Sequence, residues 1–70
     1  MKMYGTIKWF KKNKGYGYII GSDDDTYFFE KIDCINYKES FEPGDKVLFT
    51  PNLGEFTYAT AVEKVVVTNE

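Results

Sequence analysis

Helix signals are weak in this chain, because no stretch repeats apolar residues at helical spacing, i, i+3, i+4, i+7, for long. Its apolar residues fall instead into short β-rich runs cut by turn-forming residues. Five runs are read as strands: Met3 to Lys11, Gly15 to Gly21, Thr26 to Lys31, Asp45 to Thr50 and Phe56 to Val67. The separators are "KKNK", "SDDD", a longer loop from Asp33 to Pro43, and "PNLGE". In "EPGD", Pro43 presets φ and Gly44 tolerates positive φ, which marks a turn into the fourth strand. Pro51 is expected to end that strand, because it cannot donate to a ladder. Five short strands in 70 residues leave two hazardous sheet edges unless the sheet closes. The expected fold is therefore all-β, a five-stranded antiparallel barrel forming a single domain over residues 1–70.

Several chemistries are excluded early. The chain has no histidine and one cysteine, Cys34, so neither an intrachain disulfide nor a Ser-His or Cys-His nucleophile is available. Carboxylates with a single thiolate make a poor zinc set. Asp23-Asp24-Asp25 lacks the spaced ligands of a calcium loop and reads as a solvated, turn-capping run. No phosphate-cradling glycine loop occurs, so neither an enzyme activity, a cofactor nor a small-molecule substrate is expected. No apolar run approaches the roughly 20 residues of a membrane helix, the stretch "MKMYGTIKW" has no apolar run long enough for a secretory signal, and a cytoplasmic protein with no membrane partner is expected.

Net charge is −2, but its distribution is lopsided. Lys2, Lys8, Lys11, Lys12 and Lys14 lie in residues 1–22, which contain no acid, and every acidic residue follows. The same basic segment contains "KGYGYII", Lys14 to Ile20. Strand alternation puts Tyr16 and Tyr18 on one face, with Gly15, Gly17 and Ile19 on the other. Ile19 belongs inside, so the tyrosines point out, and the glycines suit a sharply curved wall. In the third strand Thr26, Phe28 and Glu30 share a face. Glu30 is costly inside, so Phe28 is placed outside with it. A one-residue slip would exchange Phe28 for Tyr27. In the first strand, alternation alone buries Trp9 beside Ile7.

One Trp, six Tyr and six Phe cannot all fit the inner face of so small a barrel. Rings left outside on adjacent strands make a patch, and patches mark binding sites. Flat rings beside lysines suit single-stranded nucleic acid, because bases stack on the rings while ammonium groups meet phosphates.

"GTIKWFKKNKGYGYI" followed by "DDTYFFE" resembles the bacterial cold-shock domain family, a subset of oligonucleotide-binding barrels. Lys14 to Ile19 is similar to that family's first ribonucleoprotein motif, with tyrosine where phenylalanine is usual. "FEPGDKVLF" and "YATAV" resemble the fourth-strand entry and the last strand. The resemblance implies that the first strand is bent so that Trp9 reaches the binding surface. By it, Lys8, Trp9, Lys14, Tyr16, Tyr18 and Phe28 form the platform, Phe10 flanks it, and Tyr37 replaces a loop aromatic used for stacking. Where the family's second motif reads roughly Phe-Val-His-Phe, this chain has Phe28-Phe29-Glu30-Lys31. Glu30 would repel phosphate yet accept a hydrogen bond from a base amino group; Lys31 would restore some attraction.

The expected function is non-enzymatic binding of single-stranded RNA or DNA with little sequence preference, in an RNA-chaperone-like role in transcription or translation. The protein is expected to act as a monomer, with a dimer left open. The alternative is a protein-interaction module on the same barrel, motivated by Glu30, the acidic balance and the absence of arginine.

Overall fold

In the computed structural model, which describes residues 1–36 and 38–66, the chain forms five strands and one short 3-10 turn. The strands are β1 (Met3–Lys11), β2 (Tyr16–Gly21), β3 (Thr26–Glu30), β4 (Lys46–Leu53) and β5 (Thr57–Lys64); the turn is Lys31–Asp33. They close into a barrel in the order β1-β2-β3-β5-β4. All ladders are antiparallel except β3–β5, which is parallel through Phe28↔Tyr58. The expected closed barrel is present, and that one pairing is the departure from an antiparallel sheet.

The core follows from alternation. Ile7, Ile19, Tyr27, Phe29, Val47, Phe49, Ala59 and Val62 point inward and are almost fully buried. Phe41, carried by the loop after the 3-10 turn, closes one end against Phe10 and Phe29, each with ring centroids 5.5 Å away. Lys64 of β5 ties that loop down. Its ammonium donates to the Ser40 carbonyl at 2.7 Å, pairs with Glu39 and Asp45, and lies over the Phe41 ring.

A bulge decides where Trp9 goes. Ile7 faces Ile19, but Trp9 faces Tyr18 and Phe10 faces Gly17. One extra residue of β1 is inserted there, and the inside–outside phase reverses beyond it. Plain alternation, which buries Trp9 with Ile7, is therefore overturned: Trp9 shares the outer wall with Tyr18. Phe10 turns inward and stacks on Phe29 at 5.7 Å, so it packs against the core rather than flanking the outer surface. Gly17 makes the bulge possible. A Cβ at this position would run into the Trp9 carbonyl and lie 3.0 Å from Phe10 Cα.

Strand limits differ from expectation at several places, Asp45 among them, which precedes β4. Gly15, at φ +75°, belongs to the turn before β2 rather than to the strand. Lys31 opens the 3-10 turn instead of ending β3. Pro51 does not stop β4, which continues to Leu53. The β1–β4 ladder ends at Met3↔Phe49, so at Pro51 the side of β4 away from β5 is open and the missing N–H costs no bond there. Phe56 precedes β5, and Val67 lies outside the described residues.

Candidate nucleic-acid interface

The outer wall of β1, β2 and β3 is paved with rings. Tyr16, Tyr18 and Ile20 alternate with inward Gly17, Ile19 and Gly21 along β2; Thr26, Phe28 and Glu30 alternate with buried Tyr27 and Phe29 along β3. The register without a slip is the one found. Tyr18 is paired with Trp9 on one side and Phe28 on the other, so three rings sit abreast across three strands. Trp9 meets Tyr18 edge-on at 5.1 Å and Tyr16 at 6.0 Å. Phe28 contacts Tyr18 at 5.5 Å and Tyr16 at 5.8 Å. Each ring touches its neighbours at an angle and is only half-buried, a packing that holds the side chains in place and leaves parts of their faces to solvent.

Lysines ring the basic side. Lys8, at the bulge, is exposed. The Lys11 ammonium lies 5.7 Å from the Trp9 ring. Lys14 is carried by the tight β1–β2 turn, in which the N–H groups of Lys14 and Gly15 both donate to the Lys11 carbonyl. Lys31 is brought to the same corner, because its N–H donates to the Gly15 carbonyl at 2.9 Å and its side chain runs alongside Gly15. Glu30, opposite Tyr16 in the ladder, is exposed at the edge of the paved wall. Its side chain accepts from the Asp33 N–H while Asp33 Oδ2 accepts from the Glu30 N–H at 2.9 Å.

Trp9, Tyr16, Tyr18 and Phe28 thus gather on one wall, with Glu30 exposed at its edge, Lys8 exposed at the bulge, and Lys14 and Lys31 at the corner of the β1–β2 turn; Phe10 does not face that wall, and Tyr37 lies outside the described residues. Two rings escaped sequence reasoning. Phe56 and Tyr58 contact each other at 5.8 Å and continue the wall past Phe28 onto β5. The sequence signal was there, since Phe56 and Tyr58 are two apart like Tyr16 and Tyr18, but only the parallel β3–β5 pairing puts them beside Phe28. Among the described residues no cluster of histidine, cysteine or carboxylate side chains could hold a metal, and no helix is long and apolar enough to cross a membrane.

The Asp run has a structural task. Asp23 accepts from the Asp25 N–H and from the Tyr27 hydroxyl, the latter at 2.6 Å. That hydroxyl is the polar end of a ring otherwise sealed in the core. Donation to Asp23, then burial and the Asp23 and Asp25 charges, pushes the Tyr27 phenol up to about 12.

Comparison with known proteins agrees with this geometry. The model of the 'Cold-shock' DNA-binding domain matches residues 3–65. Cold shock protein 1 of Lactiplantibacillus plantarum is 45% identical over 47 residues, covering 64% of this chain and 70% of that protein. The cold shock-like protein CspB of Escherichia coli is 43% identical over 56 residues, covering 76% and 78%. Cold shock-like protein of Aquifex aeolicus is 37% identical over 51 residues, covering 70% and 73%. With a closed five-stranded barrel, a bulge that turns Trp9 outward and a family match spanning nearly the whole chain, this protein belongs to the cold-shock domain family.

Proposed function

We propose that the protein binds single-stranded RNA or DNA, without enzymatic turnover and with little sequence preference on the β1–β3 wall, and that as a monomer in the cytoplasm it keeps RNA unstructured during transcription or translation. The observation that carries this reading is the row Trp9–Tyr18–Phe28, with Tyr16 against all but the middle ring, on adjacent strands beside Lys8, Lys11 and Lys14. Bases stack on any π-face, at about 1–3 kcal/mol each, so such a row selects unpaired strands over duplexes, whose bases are already stacked. The lysines contribute a salt-dependent part, about −0.7 in log affinity per log salt for each phosphate neutralised on a single strand.

The test is a titration of Trp9 fluorescence with oligo-dT at several salt concentrations. Trp9 is the chain's only tryptophan, so the signal reports on the wall itself. Quenching that weakens with salt is expected, and Lys8→Ala should reduce the salt slope by about 0.7. No quenching at low salt, together with concentration-dependent self-association, would instead favour a protein-interaction module built on the same rings.

A further inference from the structure

Beyond Phe28 the paved wall opens into a cleft of about 340 Å³ lined by Phe28, Glu30, Asp33, Phe56 and Tyr58. Its character differs from that of the lysine side. The rings continue, with Phe56 67% exposed and Tyr58 36% exposed, but the polar groups are carboxylates. Both carboxylates are held by the 3-10 turn, each accepting the other residue's N–H, which leaves further acceptor positions free on each. With Phe28 and Tyr58, the exposed Phe56 forms one contiguous aromatic patch, and such patches mark contact surfaces.

We propose that this cleft is a separate nucleobase subsite that extends the wall onto β5 and selects bases bearing an exocyclic amino group, as cytosine, adenine and guanine do, over thymine and uracil. The proposal rests on the single-strand reading of the wall. Phe28 belongs to both surfaces, so a strand stacked on Trp9, Tyr18 and Phe28 leads its next base to Phe56 and Tyr58. Stacking there is indifferent to sequence, but the edge of the base is not. Amino groups of cytosine and adenine donate to a carboxylate, whereas thymine and uracil present at the same place a carbonyl oxygen that it repels. Negative charge at this end also disfavours a phosphate entering the cleft, which leaves the base as the group that fits. Low selectivity along β1–β3 and selectivity at one position then coexist on one surface.

The experiment uses hexathymidine and the six hexamers in which one thymine is replaced by cytosine, titrated by Trp9 fluorescence against the full-length protein. One substituted position is expected to bind several-fold tighter than hexathymidine, with the others unchanged. Phe56→Ala should lower affinity for that hexamer about tenfold. Glu30→Gln should erase its advantage over hexathymidine. Tyr16→Ala serves as the control for the wall and should weaken all seven oligonucleotides alike. If all seven bind the wild type equally, or if Phe56→Ala binds the preferred hexamer as tightly as wild type, the subsite is wrong and the wall reading stands. If none binds, the wall reading falls and the subsite with it. Circular dichroism of each variant separates lost contacts from lost fold.

Discussion

The Tyr27 hydroxyl, at the rim of a ring that is otherwise fully buried, donates to Asp23 Oδ2 at 2.6 Å. The β2–β3 loop is thereby fastened to the core, since Asp23 also accepts from the Asp25 N–H and the Gly21 N–H donates to the Asp25 carbonyl. The bond needs a neutral phenol and an ionised carboxylate. Tyr27 has its pKa raised to about 12, so its contribution is complete below pH 10 and is lost as pH rises from there towards 12. Asp23 is held below its ordinary 3.8, chiefly by the Tyr27 hydroxyl and against the cost of desolvation, so its contribution is complete above that pH and is lost as pH falls below it. Tyr27→Phe should lower the melting temperature by a few degrees at neutral pH. The gap between variant and wild type should close towards both pH 2 and pH 12. A gap that stays constant across that range would mean the hydroxyl acts through packing alone.

Cys34 should be a sluggish thiol. It is half-buried after the 3-10 turn, with Sγ 3.7 Å from the Glu30 carbonyl. Burial, then the charges of Asp33 and Glu39, push it up to about 11 from 9.0, against a smaller opposing effect of Lys31. Only the thiolate attacks an alkylating reagent. In the folded protein iodoacetamide should therefore react at pH 7.5 about tenfold more slowly than with an unperturbed thiol, the lost thiolate fraction being partly offset by the greater nucleophilicity of a more basic sulfur, and unfolding in guanidinium should restore the ordinary rate. Equal rates in both states would place the thiolate in solvent.

Ala61 sits in the left-handed region, at φ +50°, where β5 bulges against β4 between the pairs Leu48↔Glu63 and Thr50↔Thr60. A side chain there costs about 1–2 kcal/mol that glycine avoids, while glycine costs about 0.5–1 kcal/mol in chain entropy. Ala61→Gly should therefore be stabilising by about 0.5 kcal/mol, and Ala61→Val, β-branched, destabilising by more than 1 kcal/mol. Urea unfolding of the three proteins checks the order. A valine variant as stable as wild type would mean that the bulge relaxes to another conformation.

Where a strand keeps strict alternation, its faces were legible from the residues alone. Tyr16, Tyr18 and Phe28 are outside and Ile19, Tyr27 and Phe29 inside because the β2–β3 ladder runs from Tyr16↔Glu30 to Ile20↔Thr26 without interruption. Trp9 and Phe10 were not legible by that rule. A single inserted residue reverses the phase, and the pattern of apolar residues in "TIKWF" does not declare it. Only the family resemblance anticipated Trp9 on the outer wall, whereas alternation put Phe10 outward with Lys8 and the bulge turns it against the core. Pro51 misled because a proline reads as a strand end unless the open side of its strand is known. Phe56 and Tyr58 were missed for a related reason: their neighbour, Phe28, is some 30 residues away in the chain and is reached through a parallel pairing that local periodicity cannot encode.

Phe28 is the ring at the centre of the proposed interface. It touches Tyr16 and Tyr18, is the ladder partner of Tyr58, and lines the acidic cleft, whereas the ring contacts of Tyr16 among the described residues are with Trp9 and Phe28. Both rings are half-buried on the outer wall, so truncating either opens no cavity in the core. Phe28→Ala and Tyr16→Ala should each weaken oligo-dT binding by about 1–3 kcal/mol, and Phe28→Ala by the larger amount, because it removes a stacking face and unseats the tyrosines beside it. The melting temperature should fall only slightly in both. If Phe28→Ala unfolds the barrel, the ring is a structural element and the assignment of this wall to ligand fails. If both variants fold and bind like wild type, the bases lie elsewhere on the barrel.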